Sequence, residues 1–144
     1  MPASVIDSNV VLPLILAQHP HRKTAAAWWE HCDDESVHFT LPARMSVLRL
    51  LTNRTLMGDG ILTPEKAWDA LSMLTSDARA VVGDQEPPGL NLIWLRLVRG
   101  REPTPNLWTD AWLAAYAETV GAEMVTFDKG FRSFAIPRLR VLTG

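Results

Sequence analysis

Three aspartates occupy positions where an acidic side chain can do chemistry. Asp7 follows the apolar run Val5–Ile6, and Asp128 follows Met124–Phe127, so each lies where a predicted strand ends. Asp110 lies in the first turn of a predicted helix that begins near residue 109. Carboxylates that crowd together repel one another, and Mg²⁺ or Mn²⁺ is the natural compensation for a cluster of oxygen ligands. If the three converge, such a cation site would serve phosphodiester hydrolysis.

Each aspartate also has a simpler interpretation. An acidic residue such as Asp110 at a helix start is typical of a cap, because it complements the helix dipole. An aspartate after an apolar strand is often a turn residue. Residue type and position therefore leave both interpretations open. A zinc site is not predicted, because no ligand spacing relates Cys32 to the four histidines.

Predicted strands and helices alternate along the chain. Thr63 followed by Pro64, for example, is a typical helix start. The alternation favours an α/β fold with a central parallel sheet of about four to five strands. The predicted strands cover residues 3–7, 37–41, 80–82, 123–127 and 139–142. In such sheets ligand sites lie at the carboxyl ends of the strands, which is where Asp7 and Asp128 fall.

Composition restricts the class of protein. The chain has 144 residues, of which 47% are hydrophobic and 21% charged, so we expect a single domain over residues 1–144. A formal charge of −2 is not the basic surplus typical of nucleic-acid binders, so any such binding must be local. No apolar run is long enough for a membrane helix, and no secretory signal is recognisable. We therefore expect a cytoplasmic protein with no membrane partner.

Four segments of the chain resemble the ordered motifs of PIN-domain proteins, in particular the VapC-type toxins of bacterial toxin–antitoxin pairs. They are VIDSN at 5–9, LRLLTN at 48–53, WTDAWLAA at 108–115 and VTFDKGF at 125–131. The resemblance implies a parallel sheet wrapped by helices and a Mg²⁺-dependent endoribonuclease site, with Mn²⁺ as a possible substitute. It also implies an RNA substrate and a cognate antitoxin protein. We expect the chain to form a homodimer.

The resemblance extends to individual site residues. By position, Asp7, Asp110 and Asp128 match three acidic residues of the family, which implies that they are the catalytic and metal-binding residues. Asn9 and Thr126 match polar neighbours that support those carboxylates.

One position departs from the family pattern. Aligning the block at 48–53 without gaps puts Arg44 where the family usually has a glutamate. The predicted third helix carries no acidic residue that could replace that glutamate. Arg44 could contact a substrate phosphate, since guanidinium pairs well with phosphate oxygens. The alternative is a catalytically weakened PIN-fold module that binds antitoxin or RNA without efficient cleavage. Because three aspartates can hold one cation, we predict an active nuclease.

The tryptophans give two further expectations. Trp28 and Trp29 are adjacent and cannot share one helix face, so we expect one of them to be partly exposed, at an antitoxin groove or a dimer contact. Trp68 and Trp94 lie on apolar helix faces, which predicts core packing.

Overall fold

The computed structural model describes residues 3–83 and 85–144. In this part of the chain five parallel strands form one sheet in the order β3-β2-β1-β4-β5. The strands are β1 (Ser4–Ile6), β2 (Val37–Phe39), β3 (Ala80–Val82), β4 (Glu123–Thr126) and β5 (Leu139–Val141). The predicted α/β fold with a parallel sheet is confirmed, and β1 lies at its centre between β2 and β4.

Helices connect the strands and cover both faces of the sheet. The helices are α1 (Ser8–Ile15), α2 (Arg22–Glu30), α3 (Leu41–Leu51), α4 (Arg54–Met57), α5 (Pro64–Thr75), α6 (Leu90–Val98) and α7 (Leu107–Val120). Short 3₁₀ segments cover Gly58–Gly60 and Lys129–Phe134. None of the helices within residues 3–83 and 85–144 is both long and apolar enough to cross a bilayer.

The hydrophobic core is divided into two layers, one on each face of the sheet. Side chains alternate between the faces of a strand, so neighbours such as Val5 and Ile6 point in opposite directions. Val5 and Met124 pack with α6 and α7 on one face, whereas Ile6 and Val125 pack with α1, α2, α3 and α5 on the other. These four residues are fully buried. A sheet covered on both faces leaves its strand ends as the accessible part, and the candidate site lies there.

The predicted positions of the tryptophans are partly wrong. Trp28 and Trp29 are both buried, at 6% and 9% exposure, because the end of α2 packs against the sheet and the Trp29 ring meets Phe39 edge-on. Trp68 is 60% exposed, because α5 buries its neighbour Ala67 and so turns the indole outward. Trp94 is partly buried against the core, so its predicted core packing is confirmed in part, and its ring meets Trp108 edge-on.

Candidate active site

The carboxyl ends of β1 and β4 bring the first elements of the site together. The two strands pair in parallel with Ile6 opposite Val125, so Asp7 follows β1 next to the last residue of β4, Thr126. The Asp7 amide donates to the Val125 carbonyl at 3.2 Å, and Oδ1 of Asp7 accepts from the Ser8 amide at 2.8 Å. Asp7 therefore caps α1, and its Oδ2 remains for other partners.

The Thr126 hydroxyl is the centre of a buried polar network. Thr126 Oγ1 donates to Asp7 Oδ2 at 3.0 Å and accepts from Asn9 Nδ2 and from the Asp128 amide, each at 3.0 Å. Asn9 Oδ1 in turn accepts from the Phe127 amide at 3.1 Å. Thr126 thus contacts the Asp7 carboxylate and the Asp128 backbone directly, whereas Asn9 contacts Thr126 and the strand end beside them.

Asp128 has a different environment. It follows β4 directly, is exposed, and its Oδ1 accepts from the Gly130 amide at 2.7 Å. This bond begins the 3₁₀ segment and holds one carboxylate oxygen in place. The other oxygen has no hydrogen-bond partner within the described residues.

Asp110 reaches the site from α7, which packs on the face of the sheet opposite α3. Asn106 occupies the N-cap position of α7 without a side-chain hydrogen bond, and Asp110 is the fourth helical residue, so the interpretation of Asp110 as the N-cap is wrong. Burial, together with smaller contributions from the nearby charges of Asp7 and Asp128, raises the pKa of Asp110 to about 7. Burial also raises the pKa of Asp7, with a smaller contribution from Asp128, while the hydrogen bonds from Thr126 and Ser8 oppose the rise. The three carboxylates therefore interact electrostatically.

One cavity of about 200 Å³ contains all three aspartates. Helix α3 forms one wall of this cavity with Pro42, Ala43, Ser46 and Arg49, and α7 contributes Thr109 and Leu113. No residue of α3 brings a carboxylate to this cavity. Ser46 and Arg49 were not among the predicted site residues. Their helical spacing from Pro42 could have identified them, because residues four and seven positions apart lie on one face.

The structure places Arg44 on the other side of α3. Residues two positions apart are about 200° apart around a helix axis, so Arg44 and Ser46 point in nearly opposite directions. Arg44 Nε donates to the Phe39 carbonyl at 3.1 Å, and Nη2 donates to the Gly83 carbonyl at 3.2 Å. Its side chain lines a groove between α3 and α5 instead of the acidic cavity. The expectation that it reaches the substrate beside the aspartates is therefore corrected.

The ligand chemistry of the acidic cavity is that of a hard cation. Apart from the Arg49 guanidinium, the described residues that line it offer carboxylate, hydroxyl and amide groups, and no thiolate or imidazole is among them. Within residues 3–83 and 85–144, however, no three His, Cys, Asp or Glu side chains are gathered closely enough to form a ready-made metal-binding group. Mg²⁺ usually keeps several waters and binds through one or two carboxylates plus substrate phosphates. The donor set of this cavity fits that mode of binding.

Comparison with known proteins agrees with this architecture. Residues 4–137 match the PIN domain family. Ribonuclease VapC41 of Mycobacterium tuberculosis is 39% identical over 140 residues, which is 94% of this chain and 96% of the relative. VapBC2 from Rickettsia felis, solved bound to a DNA fragment from their promoter, superimposes with a TM-score of 0.68 at 14% identity, covering 98% of this chain and 99% of that one.

A second solved structure gives the same fold. VapC20 of Mycobacterium tuberculosis, described as a sarcin-ricin loop cleaving toxin, superimposes with a TM-score of 0.65 at 20% identity and covers 96% of this chain and 99% of that one. The family match covers nearly the whole chain, and its fold is the one described above. This chain therefore belongs to the PIN-domain family.

Proposed function

We propose that this protein is a divalent-cation-dependent endoribonuclease and the toxin of a type II toxin–antitoxin pair. The observation that carries the proposal is the cavity shared by Asp7, Asp110 and Asp128, in which burial and, to a smaller extent, repulsion by the other two carboxylates raise the pKa of Asp110 to about 7. Such a cluster is stable as three anions only when a cation compensates it. The similarity to ribonuclease VapC41 supports RNA as the substrate.

Asp7, Asp110 and Asp128 would hold Mg²⁺, or Mn²⁺ in its place. When bound, the cation would lower the pKa of a water molecule and offset the charge on the phosphoryl oxygens. Hydrolysis then adds water across the phosphodiester: the water oxygen bonds to phosphorus, the phosphorus–oxygen bond to the leaving nucleoside breaks, and the leaving oxygen takes up a proton.

The surrounding residues have roles that follow from their contacts. Thr126 and Asn9 hold Asp7 in one orientation through the hydrogen bonds to its carboxylate and to the adjacent strand end. Arg49, rather than Arg44, is placed to bind a non-bridging phosphate oxygen. It lines the acidic cavity, and within the described residues its guanidinium has no hydrogen-bond or ion-pair partner.

The alternative is a PIN-fold module that binds RNA or antitoxin without efficient cleavage. The observation that favours it is the absence of any carboxylate on the cavity-facing side of α3. A site with three carboxylates holds a cation less tightly than one with four. The two candidates differ in whether RNA is cut, so a cleavage assay separates them.

The test uses the purified chain and a labelled single-stranded RNA with Mg²⁺, Mn²⁺ or EDTA. The wild type should cleave with either cation and stop in EDTA, and Asp7→Asn should lose cleavage because a neutral amide cannot replace the charge that holds the cation. Asp69→Asn, an exposed change on α5, is the matched control. RNA binding by the wild type with no cleavage under any of these conditions would contradict the proposal and favour the binding module.

An antitoxin would cover the groove on the Arg44 side of α3. This groove has a volume of about 320 Å³ and is largely apolar, with Leu41, Met45 and Trp68 more than half exposed. Its neighbour across α3 is the acidic cavity, so one partner segment could cover both. We therefore place the antitoxin contact at Trp68 and not at the buried Trp28 and Trp29. The solved VapBC2 assembly supports a partner of this kind.

The partner proposal is tested by co-expression with any short reading frame found next to the gene for this chain. Expression of the active chain alone should harm its host, and co-expression should relieve the harm. Trp68→Ala should weaken the complex, whereas Met73→Ala, an exposed change on α5 outside this groove, should not. A Trp68→Ala variant that instead changes only the self-association of the chain would assign the groove to a second copy and contradict the antitoxin contact.

A further inference from the structure

A second cavity meets the acidic cavity at two of its aspartates. It has a volume of about 360 Å³, within the range of small-molecule sites, and Asp110 and Asp128 line both cavities. Its remaining wall comes from the loop before α7, from the start of α7 and from the 3₁₀ segment. The residues that matter for its chemistry are Arg101, Glu102, Thr104, Leu107, Ser133 and Phe134.

Arg101 is held rigidly in this cavity. Its Nε donates to the Leu97 carbonyl at 2.6 Å, and its two terminal nitrogens donate to the hydroxyl and the carbonyl of Ser133. The guanidinium also lies over the Phe134 ring, 4.4 Å from its centroid. These bonds use three of the five N–H donors of an arginine, which leaves two for a ligand.

The guanidinium of Arg101 is not directly paired with a carboxylate of the described residues. Within residues 3–83 and 85–144 no carboxylate forms an ion pair with it, although Glu102 and the two shared aspartates line the same cavity. A fixed guanidinium with free donors binds phosphate in a planar, directed way. Because the side chain is already ordered, binding costs little conformational entropy.

The rest of the cavity is suited to a nucleoside. Leu107 is half-buried and Phe134 is buried, so both give apolar surface, and Thr104 adds a hydroxyl at the exposed rim. A nucleotide has this combination of an anionic group, a sugar with hydroxyls and a flat apolar base. We propose that the second cavity binds the nucleotide next to the scissile phosphate, with its own phosphate at Arg101 and its nucleoside along Leu107 and Thr104.

This proposal rests on the proposed ribonuclease function, because it needs an RNA strand that crosses Asp110 and Asp128. It adds a subsite on the side of these aspartates away from Arg49. The strand would then be held by one arginine in each cavity, with the acidic centre between them.

The first test measures binding of a short fluorescein-labelled single-stranded RNA in EDTA, in the Asp7→Asn background so that cleavage does not interfere. Thr104→Glu puts a carboxylate at the rim of the cavity and should weaken binding about tenfold through like-charge repulsion. Thr55→Glu adds the same charge at an exposed position on α4 and is the matched control. Equal affinities of the two variants would overturn the subsite.

The second test separates a phosphate contact from a structural role of Arg101. Arg101→Gln should reduce the slope of log affinity against log salt concentration by about 0.7, as expected for one lost phosphate contact on a single strand. A destabilised but uninvolved side chain would leave that slope unchanged, which would contradict the proposal. If the wild type cleaves RNA while both tests fail, only the subsite is wrong. If the wild type neither binds nor cleaves RNA, the proposed function is wrong as well.

Discussion

Thr126 Oγ1 lies 3.0 Å from Asp7 Oδ2 and donates a hydrogen bond to it across the carboxyl ends of β1 and β4. Thr126 is fully buried, so this bond is shielded from water. The same hydroxyl accepts from Asn9 and from the Asp128 amide, and it therefore links two acidic residues through one atom. The position of Asp7 depends on a side chain that is distant in sequence.

Removing this hydroxyl should destabilise the protein and disturb the site. Thr126→Val keeps the shape but removes the hydrogen-bond partner of Asp7 Oδ2 and of Asn9 Nδ2, and we expect a loss of about 1–3 kcal/mol in the free energy of unfolding. The pKa of Asp7 should rise further, because the bond from Thr126 lowers it. Denaturant unfolding measures the first effect. Thr126→Ser keeps the hydroxyl and should retain most of the stability, and equal losses in both variants would contradict this role.

The raised pKa of Asp110 should make the cation-free protein less stable as the pH rises. Its pKa is about 7 in the folded protein against an ordinary value of 3.8, so the folded state binds more protons than the unfolded chain between these values. Stability should therefore fall as the pH increases through this window. In EDTA, Asp110→Asn should melt at a higher temperature than wild type at pH about 8, and the difference should vanish near pH about 4.

The control for this measurement is Asp69→Asn, which removes an exposed carboxylate from α5. It should shift the melting temperature little at either pH. A melting temperature of Asp110→Asn at or below that of wild type across the whole range would show that Asp110 is not strained by burial and its acidic neighbours.

A fourth carboxylate should strengthen the site only if it faces the acidic cavity. Ser46→Glu adds one on the cavity wall, whereas Arg44→Glu adds one on the opposite side of α3. We expect Ser46→Glu to tighten Mn²⁺ binding by about tenfold, and Arg44→Glu to leave Mn²⁺ affinity unchanged while it loses the bonds to Phe39 and Gly83. Titration calorimetry measures both. Tighter Mn²⁺ binding by Arg44→Glu would show that position 44 does face the acidic cavity, which would contradict this assignment.

Gly130 should be needed for the position of Asp128. A Cβ at Gly130 would lie 3.0 Å from Asp128 Oδ1, closer than ordinary contacts, so Gly130→Ala should displace that carboxylate. We expect cleavage to fall about tenfold or more, since small displacements at a reaction centre are costly. Gly60→Ala is the matched control, because no atom lies within 4 Å of its added Cβ. Equal cleavage rates of the two variants would show that the absence of a Cβ at Gly130 is not needed to position Asp128.

Much of this site could be predicted from the sequence because two of its aspartates directly follow the strands that position them. An apolar strand followed by an aspartate places that aspartate at the end of a parallel sheet, and this is where Asp7 and Asp128 lie. Asp110 was predicted to converge with them from a helix, and it lines the same cavity.

The remaining features depend on rotation and packing, which residue type does not determine. Arg44 and Ser46 differ by two positions, and only the docking of α3 decides which of them faces the acidic cavity. Trp28 and Trp29 are both buried because the end of α2 packs closely against the sheet. The fact that the two residues are neighbours in the sequence does not reveal this packing. The second cavity depends on Arg101 meeting Ser133, two residues far apart in the chain.

The proposed function requires that Asp7, Asp110 and Asp128 act together on one divalent cation. Titration calorimetry with Mn²⁺ at pH about 7, repeated in buffers of different ionisation enthalpy, tests it most directly because it counts both bound ions and released protons. We expect one ion per chain and net proton release, since Asp110 has a pKa of about 7 and must lose its proton. Release and affinity should both fall in Asp110→Asn. If Asp110→Asn bound Mn²⁺ as the wild type does, or if the wild type bound none, a cation site shared by the three aspartates would be contradicted.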